Sequence, residues 1–312
     1  MKLDRKDLLG LRDLSREETE LILNTAIPMK DVICRDIKKV PTLRGKALVT
    51  VFYENSTRTR TSFELAGKYL SADTVNLSVS TSSVQKGESL RDTIKTIEVM
   101  GFDLMVMRHA MSGTPHYVAR NTRMRVINAG DGANEHPTQA LLDMYTIKEK
   151  KGTLEGLKVA IVGDILHSRV ARSNIYGLSK FGCDIRVVGP ATLMPPDVEK
   201  LGVKSYYSLD EAINGVDVIN ILRIQRERQV SGLFPSLDEY AQLYMLSPQT
   251  LARAKDDVLV LHPGPINRGV EISSELADSA QALINEQVTN GVAIRMALLF
   301  LMMGGGRDEI TY

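Results

Sequence analysis

Ala47-Leu48-Val49-Thr50-Val51-Phe52-Tyr53-Glu54-Asn55-Ser56-Thr57-Arg58-Thr59-Arg60 is the stretch that decides how this chain folds. Its opening run, Ala47 to Phe52, is short, apolar and rich in β-branched residues, the pattern of a strand buried on both faces of a parallel sheet. Beyond it Phe63, Leu65, Ala66, Tyr69 and Leu70 recur at helical spacing. The residues Ser56 to Arg60 therefore lie where the carboxyl end of a strand turns into a helix. Backbone N–H groups and the helix dipole both favour an anion at such a point. The hydroxyls of Ser56, Thr57 and Thr59 and the guanidiniums of Arg58 and Arg60 add donors of the kind that grip phosphate oxygens. The plainer alternative is an N-cap followed by a solvated basic turn, and the density of donors favours the anion site.

The same strand–turn–helix period extends outward in both directions. Upstream, Ser15-Arg16-Glu17-Glu18 reads as a capping box, followed by Leu21, Ile22 and Ile27 on one helix face, with Pro28 expected to interrupt the pattern. Downstream, Thr74 to Leu77 is a second strand. Ser78 to Gly87, with Ser82, Ser83, Gln85 and Lys86, has the composition of a surface connection. Ser89 caps a helix reaching Met100, and Asp103 to Met107 is a third strand ending in Arg108-His109. Arg125 to Ala129 is a fourth, leading through a glycine-containing turn to His136 and Gln139 at the head of a helix, Ala140 to Glu149. Three strand ends thus present Arg58, Arg108 and His136 on one edge of one sheet, where open α/β sheets bind ligands.

Lys150 to Gly156 is polar and reads as a link, after which the period repeats. Strands are expected at 158–163, 185–189, 216–220 and 258–261, and a helix from Arg169 to Phe181. The turn at Gly163 lacks the three spaced glycines of a dinucleotide loop, and there is no glycine-lysine phosphate loop of the Walker type. The strand ends of this half carry Arg169, then Arg223 and Gln225, then His262-Pro263-Gly264-Pro265, whose prolines remove N–H donors and leave carbonyls facing outward. From Asp278 onward apolar residues describe a long amphipathic helix, too long to serve the second sheet alone. The expected fold is α/β: two doubly wound parallel-sheet domains, 1–150 and 151–285, with a C-terminal helix, 286–312, packing back on the first.

Composition bounds the rest. The 312 residues suit two domains of ordinary size, and 25% charged with 43% hydrophobic residues is ordinary globular usage. A net charge of +1 with no Trp gives no global field for nucleic acid, so any basic site is local. Cys34 and Cys183 lie far apart in no metal-ligand spacing and are expected as two buried free thiols in a reducing compartment. The charged segment Met1 to Arg12 does not read as a signal peptide, and Val292 to Met303 is too short to span a bilayer. A cytoplasmic location is expected, without membrane or nucleic-acid partners.

Together these residues imply a cleft with a phosphate-type group on one lip and carboxylates, held by Arg169 and Arg223, on the other. No Ser–His–Asp or Cys–His arrangement is suggested. The chemistry would rest on positioning and charge stabilisation, with no covalent intermediate, metal or cofactor.

On Ser56-Thr57-Arg58-Thr59-Arg60, His136-Pro137-Thr138-Gln139, Arg223-Ile224-Gln225-Arg226-Glu227-Arg228 and His262-Pro263-Gly264-Pro265, the chain resembles the catalytic chains of the aspartate carbamoyltransferase family over essentially its whole length. The first two motifs also occur in ornithine carbamoyltransferases; the third is what selects aspartate. The resemblance implies that Ser56, Thr57, Arg58 and Thr59 hold the phosphate of carbamoyl phosphate. It implies that Arg108, His136 and Thr59 polarise the carbamoyl oxygen, with Gln139 and the carbonyls of Gly264 and Pro265 around its amino group. Arg169, Arg223 and Gln225 would bind the two carboxylates of L-aspartate. Ser82 and Lys86 would reach the site of a neighbouring subunit in a homotrimer with shared sites, overturning the bland reading of their loop; Lys86 joins Arg58, Thr59, Arg108 and His136 as catalytic. The implied reaction gives N-carbamoyl-L-aspartate and phosphate, the second step of de novo pyrimidine synthesis. Regulatory chains or a dihydroorotase remain open as further partners. So do two rival readings, a carbamoyltransferase for another amine such as ornithine and a non-enzymatic anion sensor.

Overall fold

The computed structural model describes residues 3–78, 88–224 and 236–304. Ser82, Lys86 and Gln225 lie outside the described residues. The chain divides into two compact units, Met1–Leu141 with Val288–Tyr312, and Leu142–Gln287.

The first unit opens with helix α1 (Arg16–Cys34), where the expected capping box forms between Ser15 and Glu18. Strand β1 (Ala47–Phe52), helix α2 (Thr57–Tyr69), strand β2 (Asp73–Ser78), helix α3 (Leu90–Val99), strand β3 (Leu104–His109), helix α4 (Thr114–Arg120) and strand β4 (Arg125–Asp131) follow. The strands form a parallel sheet in the order β2-β1-β3-β4. Val49, Val51, Met105, Met107 and Val126 of the sheet bury against Ile94 and Ile97 of α3 and Val118 of α4. Each such side chain contributes roughly 1.5–3 kcal/mol. The segment before α1 docks alongside β4: Leu8 N donates to Val126 O (2.9 Å) and Leu8 O accepts from Asn128 N (2.9 Å).

Helix α5 (Pro137–Lys151) carries the chain from the first unit into the second. There strand β5 (Lys158–Val162), helix α6 (Arg169–Ser179), strand β6 (Asp184–Val188), strand β7 (Lys204–Tyr206), helix α7 (Leu209–Ile213), strand β8 (Val218–Ile221), helices α8 (Leu237–Tyr244) and α9 (Pro248–Leu251), strand β9 (Leu259–Leu261) and helix α10 (Ser274–Ala277) follow. The sheet order is β7-β6-β5-β8-β9, again parallel throughout.

Four local expectations are corrected. Helix α1 runs through Pro28 to Cys34. A proline inside a helix costs about 3 kcal/mol, and burial of Met29 and Val32 beyond it offsets that cost. Cys34, the last residue of α1, is exposed and Cys183 only partly buried, although both thiols are free as expected. Strand β7 was not legible, because three residues are too few to show an alternation. The C-terminal helix, α11, spans Ile284–Met303, since α10 ends at Ala277, capped by Asp278, as a separate turn. Nor is α11 amphipathic where it joins the first unit: Ala293 to Leu299 are buried all round, as in a core helix. It packs on that unit as expected, with Leu301 O accepting from Leu3 N (3.4 Å) and the Arg295 guanidinium 5.2 Å from the centre of the Phe63 ring.

Candidate active site

In both sheets the strand order reverses beside the first strand, between β1 and β3 in one and between β5 and β8 in the other. Such switch points leave a crevice at the carboxyl ends of the strands. In each unit the expected cationic residues lie at the carboxyl ends of the two strands that flank it or just beyond them.

In the first unit β1 ends at Phe52, level with Arg108 of β3 in the sheet register. Tyr53 N donates to Arg108 O (3.0 Å), holding the two strand ends together. Ser56 is the N-cap of α2, but its hydroxyl makes no capping hydrogen bond, so local helix chemistry does not consume it. Thr57 and Arg58 are exposed on the first turn. Thr59 is 7% exposed, and its carbonyl accepts from the Ser62 hydroxyl (2.9 Å). The Arg108 guanidinium is fixed from both sides, by Glu54 Oε2 (3.1 Å from Nε) and Ala129 O (3.4 Å from Nη1).

His136 stands at the head of α5, where its carbonyl accepts from Gln139 N (3.0 Å) and Ala140 N (3.3 Å); its side chain is buried, as is that of Gln139. The turn before it is knit by Asp131. Oδ1 of Asp131 accepts from Asn128 Nδ2 (2.7 Å) and Glu135 N (3.2 Å), and Oδ2 accepts from Gly113 N (2.7 Å). Asn128 Oδ1 in turn accepts from Gly130 N (2.8 Å). Beside Arg108, His109 packs on Tyr53 with ring centres 4.7 Å apart. Burial pushes its pKa down, against the pull of the Glu54 and Asp131 carboxylates. The structure thus brings Ser56, Thr57, Arg58, Thr59, Arg108, His136 and Gln139 onto the carboxyl edge of one sheet.

In the second unit Arg169 is the first residue of α6, capped by Ser168, whose hydroxyl accepts from Ala171 N (3.1 Å). Arg169 is 2% exposed, the burial of a cation aimed into protein rather than solvent. Arg223 follows the end of β8, partly buried between Leu222 and Ile224, which are fully covered. After β9 the turn at Gly264 and Pro265 is held by its histidine. Nδ1 of His262 accepts from Gly264 N (2.8 Å), so Nε2 carries the proton and donates to Glu271 Oε1 (3.1 Å). Glu271 Oε1 also accepts from Asn267 N (2.6 Å). Gly264 has φ +57°, in the left-handed region that favours glycine, and the Gly264–Pro265 peptide is cis.

Two arginines beside a switch point suit a dicarboxylate, as the hydroxyl and guanidinium cluster of the first unit suits a phosphate. Sequence reasoning missed Asp131, Glu135 and Glu271 as supports, and it pointed Glu54 to Arg169 or Arg228 where the structure pairs it with Arg108. Each acts by orienting a neighbour, and none has a local pattern that announces it.

Residues 6–149 match the family described as "Aspartate/ornithine carbamoyltransferase, carbamoyl-P binding domain", and residues 155–302 match "Aspartate/ornithine carbamoyltransferase, Asp/Orn binding domain". The chain is 99% identical over 312 residues, 100% of each, to the "Aspartate carbamoyltransferase catalytic subunit" of Syntrophomonas wolfei subsp. wolfei. It is 67% identical over 305 residues to the protein of that name from Moorella thermoacetica, covering 98% of this chain and 99% of the other. Among solved structures it is similar to aspartate transcarbamoylase of Trypanosoma cruzi in complex with carbamoyl phosphate and aspartate. The TM-score there is 0.89 at 30% identity, over 96% of this chain and 98% of the other.

Proposed function

We propose, since the chain belongs to the aspartate/ornithine carbamoyltransferase family, that it transfers the carbamoyl group of carbamoyl phosphate to the α-amine of L-aspartate. The products are N-carbamoyl-L-aspartate and phosphate. The observation that carries the reading is the placing of Arg58 and Arg108 beside one switch point and of Arg169 and Arg223 beside the other. One set has the chemistry for a phosphate, the other for two carboxylates.

In this reading Ser56, Thr57, Arg58 and Thr59 hold the phosphate at the N-terminus of α2. Arg108, Thr59 and His136 donate to the carbamoyl oxygen, while Gln139 and the carbonyls of Gly264 and Pro265 orient its amino group. Arg169, Arg223 and Gln225 take the carboxylates of aspartate. The neutral amine attacks the carbamoyl carbon, forming the C–N bond and a tetrahedral oxyanion. The C–O bond to phosphate then breaks, and the departing phosphate takes the amine proton. Each preorganised donor on that oxyanion is worth about 10²–10³ in kcat. His136 acts as a donor, not as a base.

Ser82 and Lys86 complete a neighbour's site in a cytoplasmic homotrimer. No helix among the described residues is long and apolar enough to cross a membrane.

The assay is carbamoyl-aspartate and phosphate formation from the purified chain, with its mass in solution. Equal yields of both products from a trimer are expected, and Arg108→Ala should lower kcat by about 10²–10³. Turnover of ornithine in place of aspartate would overturn the substrate assignment. Binding of carbamoyl phosphate without product would overturn the activity.

A further inference from the structure

Within the second unit lies a buried carboxylate for which the mechanism above has no use. Asp143, on the part of α5 that belongs to the second unit, is fully buried. Three side-chain amides donate to it. Gln287 Nε2 lies 2.7 Å from Oδ1, and Asn174 Nδ2 and Asn220 Nδ2 lie 2.9 Å and 3.2 Å from Oδ2.

The orientation of Gln287 is settled by chemistry. Its Oε1 accepts from His262 N (2.9 Å), so its other end must be the NH₂ and must face Asp143. Asn174 and Asn220 face a carboxylate, so they too present NH₂. Their carbonyl oxygens are buried without a hydrogen-bond partner among the described residues. A buried unpaired carbonyl is a cost, and here it is accepted twice so that two amides can point at one acid.

The spokes lead to the substrate-binding elements. Asn174 is on α6, the helix that opens with Arg169. Asn220 is on β8, the strand that delivers Arg223. Gln287 holds the backbone of His262, the first residue of the turn that presents Gly264 and Pro265. The strands β5, β8 and β9 behind these elements are neighbours in the sheet, with Asn220 level with Leu261 and Leu222 N donating to Val162 O (2.8 Å), but the side chains beyond the ladder need a further tie. Asp143 ties them together, touching Asn174 and Asn220 directly and the turn through Gln287.

We infer that Asp143 is a positioning residue for the dicarboxylate half of the site, setting the mutual placement of Arg169, Arg223 and the Gly264-Pro265 turn. The inference rests on the functional reading above and extends it to a residue that touches no substrate. Hydrogen-bonded shells of this kind fix the groups that bind, and misplacing those groups loses binding and rate together.

The test is two-substrate kinetics and amide hydrogen exchange on the full chain carrying Asp143→Asn, which puts an NH₂ group among three donors. The aspartate KM should rise roughly tenfold or more, with carbamoyl phosphate affinity unchanged. Exchange should quicken together in residues 169–174, 218–223 and 262–265. A merely structural role would lower the folded fraction and leave the KM of the folded enzyme where it was. The double variant Asp143→Asn with Asn220→Asp restores one donor–acceptor pair and should recover part of the KM. A folded Asp143→Asn with the wild-type aspartate KM, or with faster exchange in one segment alone, overturns the inference. Should that variant not fold, Asn174→Leu removes a single spoke and is read the same way: a raised aspartate KM supports the hub and an unchanged one overturns it. A wild-type chain that leaves aspartate uncarbamoylated would sink the functional reading, and the exchange comparison would still decide the hub.

Discussion

Glu54 holds Arg108, with Oε2 3.1 Å from the guanidinium Nε and the two side chains 19% and 15% exposed. The pair is largely covered, so removing the acid leaves a mostly buried guanidinium short of an acceptor, at a cost of about 1–3 kcal/mol, besides losing its aim. Glu54→Ala should lower kcat by about ten- to a hundredfold and lower the melting temperature as well. Glu54→Gln keeps an acceptor and should lose less. Steady-state kinetics beside thermal unfolding checks both, and an unchanged kcat in Glu54→Ala would show that Arg108 is aimed by other contacts.

Burial holds the pKa of His109 below its ordinary value of 6.5, so the folded protein favours the neutral ring. Its Nδ1 accepts from Met111 N (2.9 Å), a bond that protonation at that atom would break. As pH falls the unfolded chain takes the proton first, so stability is full above the unfolded pKa and is lost as pH drops below it towards the folded one. The wild-type melting temperature should therefore fall as pH drops below about 6.5, and less steeply in His109→Asn, which keeps an acceptor near the Nδ1 position. Parallel curves for the two proteins would remove His109 as the cause.

The parts of this molecule that were legible in the sequence are those written in consecutive residues. Ala47 to Phe52 followed by the hydroxyl and guanidinium turn gave both a strand and the end at which an anion belongs. The edge shared by Arg58, Arg108 and His136 followed from alternation and the handedness of crossovers. The residues that hold these groups in place were not legible. Glu271 supports His262, and Asp143 gathers Asn174, Asn220 and Gln287, across separations that leave no periodic trace. Pro28 misled because local propensity was weighed without the tertiary burial of Met29 and Val32.

The two thiols should separate chemically. Burial pushes Cys183 up to about 11, and its Sγ donates to Leu154 O (3.1 Å). Only about one part in a thousand is thiolate near pH 8, and the thiolate is the species that alkylates. Cys34 is exposed at the end of α1. Iodoacetamide near pH 8 should give a single adduct, located on Cys34 by peptide mass, with Cys183 modified only after denaturation. Equal labelling of both in the native protein would contradict the burial assigned to Cys183.

His136 takes its position partly from the residue before it. The Glu135 carboxylate reaches back to the chain's first segment, accepting from Leu11 N (2.7 Å) and Arg12 N (3.4 Å). Glu135→Ala leaves a buried N–H without this acceptor, at a cost of about 1–3 kcal/mol, or a melting temperature lower by roughly 3–10 °C. It also loosens the turn that presents His136, so kcat should fall further than the aspartate KM rises. Gly10 offers a separate handle, because a Cβ there would strike the same carboxylate. Gly10→Ala moves Glu135 without removing its charge and should reproduce the loss of kcat with a smaller loss of stability. If both variants kept the wild-type kcat, the docked first segment would be a brace for the sheet alone, and the aim of His136 would come from Asp131 and the head of α5.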